Sequence, residues 1–337
     1  LKSGRVWCGA ESTARPDQRA LGAAQRAFDR TRDLGGRAIG ERALRLLRVR
    51  FHPALRVGAR ARGLVTIHDL SYMRLPEVAD PGLRAYLAAS VPRSVARAAR
   101  ILADSANTKR DVVDLLGVSA SRVDVVQGGV EERFHHIESP AVRARVRDRY
   151  SLPDRFILFI GTLEPRKNLP RLISAFARMR RATSLPHTLV IGGSPGWLYD
   201  EIYRSVSVEA EPGSVQFIGY TKDEDLPTLY SLAELFAFPS LYEGFGLPPL
   251  EAMACATPVV CSGNSSLPEA VGDAALLVDA TDVDGLARAM VRVLQDEGLA
   301  ASLRERGVAQ ARRFTWPAAA EALVGAYRLA AQGGAVR

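Results

Sequence analysis

Residues 156–176 read FILFIGTLEPRKNLPRLISAF. Five apolar residues run without a break, then come a glycine and a short basic loop. Leu169, Leu172, Ile173 and Phe176 follow at helical spacing. A strand with no polar face is covered on both sides, and sheets covered on both sides are parallel, with helices as their crossovers. The same alternation continues outward. Strands are expected at 189–191, 215–218, 235–238, 258–260 and 275–278, with helices between them, for example over 169–179 and 223–233. The first half repeats the pattern more loosely, with strands at 64–67, 101–103 and 123–126 and a long helix over 83–97. The stretch 139–153 is polar and flanked by prolines, and the domain boundary is placed there. The expected fold is therefore α/β: two doubly wound, Rossmann-like domains, 1–150 and 151–315, facing across a cleft. Ligands of such sheets lie at the carboxyl ends of the strands, so the cleft is the default site.

Composition removes several alternatives. The chain has 337 residues, 47% of them apolar, enough for two ordinary cores. No run of about 18 apolar residues and no basic-then-apolar leader pattern is present in it. Cys8, Cys255 and Cys261 have neither disulfide-framework nor metal spacing. The net charge of +8 is concentrated at the start, where fourteen arginines and Lys2 stand against five acids in residues 1–62. Over 37–50, Ile39, Ala43, Leu46 and Leu47 share one helical face, and Arg42, Arg45 and Arg48 share another. That basic face reads first as a solvated helix surface and second as a rest against anionic lipid at the inner face of a cell membrane. No nucleic-acid-binding motif accompanies it.

Two loops carry the chemistry. Gly161 ends the strand 156–160 and lets backbone approach a ligand closely, while Arg166 supplies a planar fork and Lys167 a point charge. Together they suit a diphosphate, whose charge must be neutralised as it leaves. The second loop follows strand 235–238 and reads EGFGLPPLE, residues 243–251. Gly244 and Gly246 expose backbone N–H groups where Pro248 and Pro249 favour a helix start, which makes an anion-binding nest. Glu243 in the loop and Glu251 on the helix are placed to accept hydrogen bonds from two sets of hydroxyls, one on a sugar and one on a ribose.

Two long strings, FILFIGTLEPRKNLPRLISAF at 156–176 and FPSLYEGFGLPPLEAMACATPVVCSGNSSLPEAVGDAALLVD at 238–279, resemble the donor-site signature of family-four retaining glycosyltransferases of the GT-B architecture. The likeness extends over most of 64–330. It implies that Arg166 and Lys167 hold the diphosphate and face the open cleft. It further implies that Glu251 binds the ribose, and that Glu243, Gly244, Gly246 and the backbone from Phe245 to Leu247 hold the transferred sugar. Gly219 and Tyr220, in VQFIGYTKDEDL at 215–226, fall where the family's nucleotide base packs. His68, in GLVTIHDLSYMRLPE at 63–77, falls where the family places a histidine beside the sugar and the acceptor. Asn107, Thr108, Gly128 and Gly129 match regions near the cleft and are read as scaffold first. The last segment, 316–337, is expected to return as a helix to the first domain. The implied reaction is metal-independent hexosyl transfer with retention, without a cofactor. The donor would be a nucleotide sugar (GDP-mannose first, UDP-sugars next) and the acceptor a saccharide or lipid-linked saccharide in the cytoplasm.

Other spellings are set aside. Asp223-Glu-Asp225 matches a metal-binding Asp-x-Asp, but Thr221 and Glu224 read as a capping box opening a helix. His135 and His136 have no third ligand at a usable spacing. A sugar-nucleotide epimerase, a phosphorylase and a non-catalytic nucleotide-sugar binder remain as alternatives on the same architecture. Two departures from the family stand out. Ala256 occupies a position usually held by glycine. The opening 50 residues show no buried strand followed by a Gly-rich turn, and Gly35-Gly36 follows a charged helical pattern. The first domain is therefore expected to lack its first strand, and the chain as given to bind nucleotide but transfer poorly.

Overall fold

The computed structural model describes residues 48–49 and 63–332. In the first half, strands β1 (Arg48–Val49), β2 (Gly63–Ile67), β3 (Arg100–Ala103) and β4 (Val123–Val125) form a parallel sheet in the order β1-β2-β3-β4. Its helices are α1 (Ser71–Arg74), α2 (Pro81–Arg97) and α3 (Ala106–Leu116). After α4 (Pro140–Tyr150) come β5 (Phe156–Ile160), α5 (Leu169–Ala182), β6 (Thr188–Gly192), α6 (Asp200–Glu209) and β7 (Val215–Gly219). The chain continues with α7 (Leu226–Leu232), β8 (Leu235–Phe238), α8 (Leu247–Ala254), β9 (Val259–Ser262), α9 (Leu267–Val271) and β10 (Leu276–Val278). Helices α10 (Val283–Gln295), α11 (Glu297–Ala311) and α12 (Trp316–Gln332) complete it.

The second sheet has the order β10-β9-β8-β5-β6-β7, all parallel. From β5 the chain steps outward to β6 and β7, then returns to β8 on the other side of β5 and steps out to β9 and β10. The order reverses between β5 and β8, so the crossovers that follow these two strands run to opposite sides of the sheet and a crevice lies at the strands' carboxyl ends. All five residues of β5 and all four of β8 are buried, as their unbroken apolar sequence requires. Helix α5 buries Leu169, Leu172, Ile173, Phe176 and Met179 against this sheet.

The first sheet is smaller. Val65, Ile67 and Ile101 meet Val91, Val95 and Val112 of α2 and α3 on one face. On the other face, Leu64 and Leu102 meet Ala326, Tyr327 and Ala330 of α12. The segment after β4 packs on the start of that helix at Gly129, where a Cβ would collide with the backbone of Thr315 and Trp316, and Val130 N donates to Phe314 O at 3.0 Å.

Several expectations change in detail. The helical pattern over 37–50 does not hold at its end, because Arg48–Val49 is extended and pairs in parallel with β2. The remainder of the basic opening, including Cys8, Arg42, Arg45 and the stretch read as lacking a first strand, lies outside the described residues. Strand β9 begins at Val259, one residue later than Pro258, which has no N–H for the ladder. The helix expected from 223 begins at Leu226, and no side chain caps it, so the Thr221–Glu224 box does not form. Asp225 turns inward instead: it is 1% exposed and accepts from Arg149 at 2.6 Å and Tyr150 Oη at 2.9 Å. Ala256 takes the left-handed conformation with φ 57°, the region where a glycine costs less.

Candidate donor site

The loops after β5 and β8 meet at the crevice because the strands that launch them are neighbours. Leu241 N donates to Arg166 O at 2.8 Å, and Asn168 Nδ2 donates to Pro239 O at 2.9 Å and to Ala280 O at 2.7 Å. These bonds pin one loop against the other. Residues 165–167 form a single 3-10 turn, which aims Arg166 and Lys167 into the junction.

There the cations find carboxylates. Arg166 donates to Glu243 Oε2 at 2.9 Å, to Glu164 Oε1 at 2.6 Å and to Tyr242 O at 2.7 Å. Lys167 Nζ reaches Glu243 Oε1 at 2.6 Å and lies 5.0 Å from the centroid of the Phe238 ring. The side chains of Arg166, Lys167 and Glu243 are 17, 11 and 10% exposed. The expectation that both cations face an open cleft is thus corrected: a buried charge needs a partner, and Glu243 and Glu164 supply it. Burial pushes the Glu243 carboxyl up, but Lys167 and Arg166 outweigh it and hold it below the usual carboxylate value. For Glu164 burial prevails over the two cations, and its carboxyl is raised.

The rest of this loop is held by hydroxyls. Ser265 Oγ accepts from Glu243 N at 3.0 Å, and Ser266 Oγ donates to Glu243 O at 2.9 Å and Phe245 O at 2.8 Å. Gly246 has φ 119°, and a Cβ there would press on Leu267. It opens α8 at Leu247 with Pro248 in the first turn and no side-chain cap, so the helix's leading N–H groups stay available. Phe245 is buried edge-on to Phe314, with ring centroids 5.4 Å apart.

Glu251 lies further along α8 and accepts from Tyr230 Oη at 3.0 Å. Burial pushes its carboxyl up to about 7, against the opposing hydrogen bond from Tyr230. Gly161 N donates to Gly192 O at 3.0 Å, tying the β5 loop to β6. Gly219 ends β7 with φ 68°, and Tyr220 beside it is 59% exposed.

The first half contributes His68 at the carboxyl end of β2. Its ring is exposed, and Nδ1 pairs with Asp104 Oδ2 at 2.8 Å, a bond that raises the imidazole's pKa. The His68 carbonyl packs directly on Gly244, where any Cβ would collide with it. Thr108 Oγ1 lies 3.2 Å from both His68 O and Gly244 O, and Asn107 Nδ2 donates to Tyr242 Oη at 2.8 Å. Glu269 of α9 accepts from Ala106 N at 2.9 Å and from Gln127 Nε2 at 2.6 Å, so the first turn of α3 is clasped by the second half. His68 and Arg166 thereby line one cavity. Tyr230, Ser265, Ser266 and Glu269 escaped the sequence reading, because each acts through a partner remote in sequence; Glu164, two residues from Arg166, escaped it because its burial is set by the sheet packing.

Among the described residues, no cluster of three or more His, Cys, Asp or Glu side chains is placed to hold a metal. Asp223 O accepts from Arg133, His135 Nδ1 lies 3.2 Å from Glu132 O, and His136 Nδ1 lies 3.2 Å from Cys255 O. No described helix is long and apolar enough to cross a membrane.

Residues 144–312 match the family model described as "Glycosyl transferases group 1". The chain belongs to that family. Among its relatives, this glycosyl transferase is 36% identical to the O-antigen chain mannosyltransferase B of Escherichia coli over 269 residues, which cover 80% of this chain and 70% of that one. It is 34% identical to the serotype-specific mannosyltransferase WbdA of the same organism over 254 residues. That match covers 74% of this chain and 31% of WbdA, so the chain spans about a third of that relative's length. Among solved structures, sucrose-phosphate synthase from Thermosynechococcus elongatus superposes with a TM-score of 0.66 at 25% identity, over 80% of this chain and 67% of that one. The two facing parallel sheets are the GT-B arrangement.

Proposed function

We propose that this chain transfers a hexose from a nucleoside diphosphate sugar to a saccharide hydroxyl, with retention and without a metal. The observation that carries the reading is the meeting of Arg166, Lys167 and Glu243 at the reversal between β5 and β8. Two cations already balanced by carboxylate are matched in charge to an anion that can exchange with it. The donor's diphosphate takes the place of the Glu243 carboxylate on Arg166 and Lys167, and Glu243 is released to accept from the sugar's hydroxyls. The N-terminus of α8 adds about half a positive charge at the same place. As the bond from C1 to the diphosphate breaks, these groups stabilise the departing anion. A new bond forms from C1 to the acceptor oxygen, and the acceptor's proton passes to the leaving diphosphate. Glu251 accepts from the ribose, and Tyr220 flanks the base. The His68–Asp104 pair faces the sugar from the other half.

The mannosyltransferase relatives favour GDP-mannose as donor, with UDP-sugars next. A lipid-linked saccharide as acceptor, with the basic residues 1–62 against anionic lipid, would place the work at the inner membrane surface. Thermal melts with a panel of nucleotide sugars test the donor, because a ligand at 100 times its Kd stabilises by about 2.7 kcal/mol. Proton NMR of the product reads the anomeric configuration. The absence of any shift across the panel, or an inverted product, would overturn the proposal. Nucleotide binding without donor hydrolysis or transfer would point to the non-catalytic binder instead.

A further inference from the structure

The loop after β8 reaches the first half through a side chain that the transfer chemistry above leaves unused. Tyr242 is 8% exposed, and its hydroxyl extends to α3. There it accepts from Asn107 Nδ2 at 2.8 Å and donates to the Asp111 carboxylate. Asn107 and Asp111 stand four residues apart on one face of α3, so a single phenol grips two consecutive turns of that helix. Asp111 is itself buried, and Arg74 of α1 holds its other oxygen through Nε at 2.9 Å and Nη2 at 2.6 Å. With a cation on one oxygen and a phenol on the other, this buried carboxylate is balanced in charge and bonded on both sides. Burial, and after it the bond to Asp111, raise the phenol's pKa, so it stays protonated and remains the donor.

The other end of Tyr242 belongs to the anion site. Its carbonyl accepts from Arg166 Nη1 at 2.7 Å, and the next residue is Glu243, the carboxylate shared by Arg166 and Lys167. One residue thus joins α1 and α3 of the first half to the groups that meet the diphosphate. We propose that Tyr242 is a positioning residue, whose pin on Asn107 and Asp111 sets the register of the two halves in which Arg166 and His68 face the same sugar. The inference rests on the transferase reading above and deepens it with a residue that acts through others. Arg166 and His68 come from different halves, so their separation depends on the contacts between halves, and a misplacement of about 1 Å can cost about 100-fold in rate. The Glu269 clasp on the start of α3 is exposed, and water can take over its bonds. The bond from Tyr242 to Asp111 is buried, where water has no such access.

Tyr242→Phe keeps the ring and the carbonyl on Arg166 and deletes only the pin. With GDP-mannose as donor and methyl α-mannopyranoside as acceptor, kcat should fall about tenfold, while donor KM and the calorimetric Kd for GDP stay within about twofold. Asn107→Ala removes one bond of the pin without taking a partner from the buried carboxylate, and should lower kcat with the same split. The double variant should lose no more than Tyr242→Phe alone, because the two residues act as one unit. Without any substrate, amide hydrogen exchange over residues 106–116 should quicken in Tyr242→Phe. Unchanged kcat in variants that still bind GDP, additive losses in the double variant, or GDP affinity falling in step with kcat would overturn the assignment. Failure of the transferase reading looks different: the wild-type chain would neither bind GDP-mannose nor transfer from it, whereas amide exchange would still read the pin.

Discussion

Replacing Glu243 by Gln is expected to weaken the free protein and strengthen its hold on nucleoside diphosphate. Glu243 neutralises Arg166 at 2.9 Å and Lys167 at 2.6 Å in a setting where all three side chains are nearly buried. Removing one partner of a buried pair costs about 3–5 kcal/mol. Arg166 keeps Glu164 at 2.6 Å and Lys167 keeps the face of Phe238, so the lower end, about 3 kcal/mol, applies. At roughly 2–4 °C per kcal/mol for domains of this size, the melting temperature should fall by about 6–12 °C at pH 7. The Glu243 carboxyl is held below 4.5 in the folded state. Its stabilisation is therefore present above pH 4.5 and lost as the pH falls through the folded value, and wild type and variant should converge in acid. In the proposed exchange wild-type protein displaces Glu243 to bind a diphosphate, whereas the variant presents Arg166 and Lys167 without that competing carboxylate. Nucleoside diphosphate should bind the variant about tenfold more tightly, while hexosyl transfer falls because the sugar loses its carboxylate. Thermal melts and calorimetry with GDP and UDP measure both effects. An unchanged melting temperature together with unchanged or weaker nucleotide affinity would refute the exchange of carboxylate for diphosphate.

Other outcomes follow from the same geometry. Arg166→Ala or Lys167→Ala should each lower kcat/KM at least about 100-fold, about 3 kcal/mol of lost anion stabilisation, and also lower the melting temperature because Glu243 loses one of its two cations; steady-state kinetics and thermal melts check both. The Glu251 carboxyl is raised from 4.5 to about 7 in the folded protein, so its burial as a neutral acid favours folding below pH 4.5 and that contribution is lost as the pH rises through about 7. Nucleoside diphosphate affinity should accordingly strengthen between pH 6 and 8 as the carboxylate forms, with a slope that Glu251→Gln flattens in calorimetry. Activity should survive excess chelator, and Asp225→Ala should lower the melting temperature by breaking the buried pair with Arg149 while leaving metal dependence absent; complete loss in chelator with recovery in manganese would contradict this.

The sequence alone settled the class of the fold. FILFI at 156–160 and LFAF at 235–238 have no polar face, so each had to be an interior strand of a parallel sheet, and the basic and Gly-rich loops that follow had to lie at the ligand end. Local pattern fixes which element a side chain stands on, as for Arg166 and Lys167 after the first of these strands and Glu243 after the second. Local pattern does not say which elements become neighbours. That Glu243 closes on Arg166 and Lys167, some 77 residues away in sequence, follows from β8 returning to pair with β5, a decision made by packing across the whole sheet. The same packing turned cations read as open to the cleft into buried, internally balanced ones, and turned Asp225 inward to Arg149 instead of into a capping box. The cavity beside His68 and Arg166 and the clasp of Glu269 on α3 were equally beyond the sequence. Each is formed by residues from both halves, and periodicity carries no information about the distance between two faces that meet only after each half has folded.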